Sequence, residues 1–185
     1  ATARGIIVMN TPAGNTISTT EHTLSMILAL SRNIPCADSS LRGGEWKRSK
    51  FIGVELYGKT LGVLGLGRIG TEVSKRAISF GMKIVAYDPF LSKEIASGLG
   101  VEIVELRDLF KRSDYITVHA PLTEETRHII SDKEISMMKD GVRLINCARG
   151  GIIDETALLK ALDSGKVGGA ALDVFEKEPP DFSSP

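Results

Sequence analysis

The chain has 185 residues, 42% of them hydrophobic, and 23 Lys plus Arg balance 23 Asp plus Glu. That length supports one domain with a sizeable core, and a zero formal net charge gives no electrostatic reason to expect a nucleic acid or an anionic membrane as partner. No apolar run approaches the ~18 residues of a membrane span, and the N-terminus ATARG has no signal core behind it and reads as an internal cut through a longer protein.

The first apolar run, Ile6 to Met9, reads as a short strand and NTPAGNT as the turn after it. Ser18 or Thr19 then caps a helix to about Asn33, with Leu24, Ile27, Leu28 and Leu30 as its apolar residues and Pro35 as its stop. Residues 38–53 are polar around the single Trp46. From Lys59 the pattern becomes regular. TLGVLG reads as a buried strand, RIGTEVSKRAISF as a helix that Gly81 ends, KIVAYD as a strand, 92–98 as a short helix and VEIV as a third strand. A helix near Leu106 to Lys111, the strand DYITVH, a Ser131-capped helix to Met138, the strand VRLINC, the helix DETALLKALDSG and the strand GAALDVF follow. Short apolar strands alternating with helices predict an α/β fold of the doubly wound, Rossmann type. Its parallel sheet of six or seven strands would carry helices on both faces.

Nineteen glycines are more than such a fold needs, and they cluster at 65–70, 141–151 and 165–169. Gly65-Leu66-Gly67-Arg68-Ile69-Gly70 fits G-x-G-x-x-G between a predicted strand and a predicted helix, the context that pattern requires. Gly65 permits the tight turn, Gly67 lets a pyrophosphate approach the backbone, and Gly70 lets helix and strand pack closely. The helix N-terminus offers N–H groups and partial positive charge to the phosphates, and Arg68 could add a direct contact. Asp88 ends the next strand, where a carboxylate accepts from adenosine ribose hydroxyls and repels a 2′-phosphate, so NAD is expected over NADP.

Two more segments follow predicted strands: Asn146-Cys147-Ala148-Arg149-Gly150-Gly151 and Asp173-Val174-Phe175-Glu176-Lys177-Glu178-Pro179. Both would face the cofactor crevice. Arg149, among small residues, is free to reach a substrate carboxylate, or else orders its loop through an ion pair. Glu178 could orient a histidine and raise its pKa, or remain a surface charge. Cys36 and Cys147 form no CxxC, in keeping with a reducing cytoplasm, and no base stands beside Cys147 in sequence. Three scattered histidines, His22, His119 and His128, have no metal-ligand spacing. His22 and His128 read as surface or capping residues and His119 as structural or cofactor-lining.

The order GLGRIG, YDP, NCARGG, DVFEKEPP, preceded by NTPAGNT and a helix, resembles the D-isomer-specific 2-hydroxyacid dehydrogenases over nearly the whole chain. The resemblance implies a cofactor domain for NAD with 1–14 as a hinge segment, 15–52 as a dimerisation helix and arm, and 53–178 as the Rossmann core. It implies that Arg149 holds the substrate carboxylate, Glu178 pairs with the catalytic histidine, and Asp173 fixes the nicotinamide carboxamide. Cys147 and Ala148 would contact the nicotinamide side, with His119, Ala120 and Pro121 lining it. Arg68 and Ile69 would meet the pyrophosphate and Asp88 the ribose. Position 120 is alanine where related enzymes often have threonine, which preserves a backbone contact and removes a hydroxyl. The family histidine, expected after the EP motif, and the family's substrate-binding domain are not in the chain, so the fragment is expected to bind cofactor without turning over. The wording LGLGRIG, FGMK, ITVHAPL and NCARGGI most resembles the animal-type members that oxidise 3-phosphoglycerate. Rival readings are a glyoxylate or hydroxypyruvate reductase and an NADH-sensing corepressor. Trp46 suits an interface anchor, so a homodimer through 17–52, or a homotetramer in a longer chain, is expected.

Overall fold

A computed structural model describes residues 1–9, 11, 13–91 and 96–180. Six parallel strands form one sheet: β1 (Thr60–Leu64), β2 (Lys83–Tyr87), β3 (Val101–Ile103), β4 (Tyr115–Val118), β5 (Val142–Asn146) and β6 (Val167–Leu172). Their spatial order is β3-β2-β1-β4-β5-β6. The chain builds outward from β1 through β2 to β3, then returns to β4 on the other side. The order therefore reverses between β1 and β4, the switch point at which open α/β sheets bind ligands.

The apolar alternation within the strands sorts the core onto two faces. Leu61, Val63, Ile84, Ala86 and Tyr115 pack with α1 (Thr16–Ser31) and α3 (Arg68–Ser79). Leu64, Val85, Ile116 and Val118 pack with α4 (Leu106–Arg112), α5 (Asp132–Met137) and α6 (Glu155–Asp163). Successive side chains of a strand point to opposite faces, so a continuous apolar run is what a sheet covered on both sides requires. The expected doubly wound fold is thus the observed one. Local signals agree with it: Asp154 caps α6 by accepting from Ala157 N at 3.0 Å, and Gly81, at φ 72°, takes the left-handed position just beyond α3.

The region before β1 departs from expectation. Ile6 to Met9 form no strand among the described residues. They follow a short 3-10 turn (Thr2–Arg4) and are 56%, 82%, 76% and 86% exposed. An apolar run makes a strand only where a neighbouring strand accepts its backbone hydrogen bonds. The first helix starts at Thr16 with Asn15 as N-cap, not at Ser18 or Thr19, and ends at Ser31. Pro35 does not stop it. Pro35 sits in the first turn of a second helix, α2 (Ile34–Arg42), where its missing N–H costs nothing. α2 buries no residue, and Trp46 beyond it is 76% exposed. α1, by contrast, is fixed to the body. Ile27 is fully buried, and the Ser31 hydroxyl lies 2.9 Å from the Tyr115 hydroxyl. The short helix expected at 92–98 falls largely outside the described residues.

Candidate functional site

The six-residue glycine turn is held by sterics at two of its three glycines. Gly65 has φ +93°, and a Cβ there would lie 2.9 Å from the His119 carbonyl and 3.0 Å from Ala120 N, so the turn after β1 abuts the end of β4. A Cβ on Gly70 would overlap the Gly65 carbonyl oxygen. Gly67 differs: its φ is −69°, a value any residue adopts, and among the described residues a Cβ there would meet nothing within 4 Å. The protein itself has no need of glycine at 67. Gly67 is the N-cap of α3 and supplies no side-chain cap, and a helix start of this kind favours an anion. A hollow of about 540 Å³ beside the turn is lined by Ala13, Thr16, Ile17, Arg68, Thr71 and Glu72.

Asp88, at the end of β2, leans back onto the turn. One carboxylate oxygen accepts from Leu66 N and the other from Phe90 N, each at 2.9 Å. Each oxygen keeps a further lone pair for hydroxyl donors. At the end of β4, His119 Nε2 lies 3.0 Å from the Thr117 hydroxyl, and burial lowers its pKa to about 4, leaving the ring neutral near pH 7.

Beyond β5 the backbone is shaped by Asn146, a buried side chain. Its Nδ2 donates to the Arg149 carbonyl at 2.8 Å, and its Oδ1 accepts from Ala148 N at 3.0 Å. This clamp turns the chain so that Arg149 emerges exposed, its guanidinium donating to the Ala148 carbonyl at 2.6 Å. Cys147 is buried and its thiol pKa is raised, first by desolvation, while a hydrogen bond to Thr23 of α1 opposes the shift. The loop after β6 docks on this one. Asp173 N donates to the Asn146 carbonyl at 3.0 Å, and a Cβ on Gly150 would overlap the Phe175 carbonyl. Glu178 is exposed and accepts from Phe175 N at 3.1 Å.

Comparison with known proteins places this geometry. The family model for the D-isomer specific 2-hydroxyacid dehydrogenase, NAD binding domain, matches residues 24–185. The chain belongs to that family. It is 57% identical over 181 residues to the D-3-phosphoglycerate dehydrogenase of Methanocaldococcus jannaschii and 54% identical over 180 residues to the human protein of that name. Each alignment covers 97% of the chain and 34% of the relative, so the chain spans about a third of their length. The likeness is therefore not confined to animal proteins. A D-lactate dehydrogenase from Aquifex aeolicus, complexed with NAD and lactic acid, superposes with a TM-score of 0.86 at 41% identity, covering 95% of this chain and 53% of that one.

The site residues fit the dinucleotide that this family binds. The glycine turn, the start of α3 and the anchored Asp88 all lie on the β1–β2 side of the switch point, where the dinucleotide pattern places pyrophosphate and adenosine ribose. The structure brings Gly65, Gly67, Arg68, Ile69, Gly70, Asp88, His119, Ala120, Pro121, Cys147, Ala148, Arg149, Asp173 and Glu178 to the carboxyl ends of five strands. Three contributors were not expected from sequence. Asn146 was visible only as a letter in the loop motif. His22 of α1 and His128 are accessible at the surface, as expected, and each also has a carboxylate partner: His22 lies 3.4 Å from Asp173 and His128 3.0 Å from Glu176. The His22 and His128 contacts join segments far apart in sequence, and no local pattern announces them. Among the described residues no cluster of metal-ligating side chains occurs, and no helix is long and apolar enough to cross a membrane.

Proposed function

We propose that this chain is the cofactor domain of an NAD-dependent dehydrogenase that oxidises 3-phosphoglycerate to 3-phosphohydroxypyruvate, the first step of phosphorylated serine biosynthesis in the cytoplasm. The observation that carries the reading is the docking of the Asn146–Gly151 loop against the Asp173–Glu178 loop at Gly150, which sets Arg149 and Glu178 at the same end of the sheet as the glycine turn. The choice of substrate rests on 54–57% identity to relatives that carry that name.

Bound NAD⁺ supplies the hydride acceptor. The chain's own residues do the rest. Gly65, Gly67, Arg68, Ile69 and Gly70 with the first turn of α3 hold the pyrophosphate. Asp88 accepts from the ribose hydroxyls and excludes a 2′-phosphate by charge. Asp173 holds the carboxamide, and His119, Ala120, Pro121, Cys147 and Ala148 line the nicotinamide side. His119 stays neutral and so adds no cation there. Arg149 binds the substrate carboxylate and stabilises negative charge on the reacting oxygen. Glu178 stabilises the protonated form of a histidine outside this chain that takes the hydroxyl proton. Residues 1–14 serve as the hinge, 15–52 as the dimer contact of a homodimer or homotetramer, and 53–178 as the cofactor core.

Replacing Arg149 with Ala in the full-length protein should lower turnover about 100-fold or more while leaving NAD⁺ affinity nearly intact. Unchanged turnover would sink the assignment. Calorimetry with NAD⁺ and NADP⁺ should show saturable binding of NAD⁺ alone, weakened in Asp88→Ala.

A further inference from the structure

The loop that carries Asp173 and Glu178 has few buried side chains of its own, so something outside it must fix its shape. The hydrogen bonds converge on Glu176. Its Oε1 accepts from His128 Nε2 at 3.0 Å and from Glu155 N at 3.2 Å. In return, Glu176 N donates to Glu155 Oε1 at 2.6 Å. His128 Nδ1 also faces Asp154 Oδ2 at 3.9 Å, and its backbone N donates to the Gly151 carbonyl at 2.8 Å. The His128 ring therefore joins the stretch before α5 to the start of α6 and to the loop that carries Glu178, while its backbone ties the same stretch to the loop that carries Arg149.

His128 is held at φ +51°, a left-handed conformation that non-glycine residues adopt at a cost. Glycine would satisfy that backbone without strain. The ring is thus kept for what it touches, and its partner within 3.0 Å is Glu176. The link to chemistry is short. Phe175, next to Glu176, presses its carbonyl on Gly150 and donates its N–H to Glu178. We infer that His128 is a positioning residue, whose bond to Glu176 fixes the 173–178 loop so that the Glu178 carboxylate is set for its histidine partner. This rests on the functional reading given above.

The test uses His128→Gly, which keeps the left-handed backbone and deletes the ring, and Glu176→Ala, which deletes its partner. Amide hydrogen exchange at Phe175 and Glu176 should quicken about 10-fold in His128→Gly, because the loop opens more often. In the full-length protein with NAD⁺ and 3-phosphoglycerate, kcat should fall roughly 10-fold with NAD⁺ affinity unchanged within about 2-fold, since a small misplacement near the chemistry acts on turnover. The double variant should be no slower than Glu176→Ala alone, as both remove one link. Unchanged exchange would overturn the clamp, and so would faster exchange with unchanged kcat. A wild-type protein that binds NAD⁺ and oxidises no 2-hydroxy acid would overturn the functional reading instead, and the exchange rates alone would then decide whether His128 holds the loop.

Discussion

The glycine turn and the Asp173–Glu178 loop lie at the same end of one sheet, and they are built on different principles. The turn is set by sterics: Gly70 is fixed by overlap with the Gly65 carbonyl inside the turn, and Gly65 by its φ of +93° and by the backbone of His119 and Ala120 at the end of β4. The loop is assembled from afar, through Asn146, Gly150, His128, Glu155 and His22. Steric demands leave no room for adjustment, whereas exposed hydrogen bonds and ion pairs each contribute little and can be rearranged. The half proposed to hold the cofactor is thus set chiefly by sterics, and the half proposed to work on the substrate chiefly by a network, with one steric contact at Gly150.

The largest expected effect breaks the rigid half. Gly70→Ala puts a Cβ into the Gly65 carbonyl and forces α3 away from β1. Overpacking against backbone in a buried joint should cost about 3 kcal/mol or more, read as a lower midpoint in urea and loss of NAD⁺ binding. A variant as stable as wild type would mean that the turn is held by something other than that contact.

The next effect is one of pH. The His119 pKa falls from 6.5 in the unfolded chain to about 4 in the folded one. Between those values the unfolded state binds a proton that the folded state does not. The contribution is therefore complete above pH 6.5 and is lost as pH drops toward 4. The shift corresponds to roughly 3 kcal/mol. His119→Gln should flatten the stability profile across that window. An unchanged slope would show that other groups control it.

Asn146→Ala tests the networked half. It removes two hydrogen bonds from a buried side chain and leaves Ala148 N and the Arg149 carbonyl to seek other partners. A loss of about 2 kcal/mol is expected, with turnover falling further than stability because Arg149 loses its placement. If the two fall in proportion, the clamp has no special relation to Arg149.

The same contrast explains what the sequence revealed. Continuous apolar strands such as Leu61–Leu64 and Tyr115–Val118, capped helices such as α6, and the glycine turn are local consequences of period, capping and sterics, so they were legible. Ile6 to Met9 misled because an apolar run states a need for cover and not where the cover lies. α2 was missed because its short apolar stripe, Ile34, Ala37 and Leu41, is left unburied and Pro35 serves equally to end one helix or begin another. Arg149 and Glu178 were singled out by their place after predicted strands, and Asp173 by resemblance to a family. The pairings of His22 and His128 were not, because each depends on a distant partner that only the folded chain supplies, and the bonding of Asn146 depends on the conformation its loop takes.

The smallest change in stability sharpens the comparison most. Gly67→Ala adds a methyl group where φ is ordinary and no atom of the described residues lies within 4 Å, so stability should change by no more than about 0.5 kcal/mol. Cofactor affinity should nevertheless fall about 10-fold or more, because the methyl occupies the approach of the pyrophosphate to the backbone. Gly70→Ala and Gly67→Ala, three residues apart, would then separate the fold's demand for glycine from the ligand's. If Gly67→Ala kept full affinity, the dinucleotide would not pass over that residue, and the phosphates would have to be held chiefly by the side of α3 that carries Arg68 and Thr71.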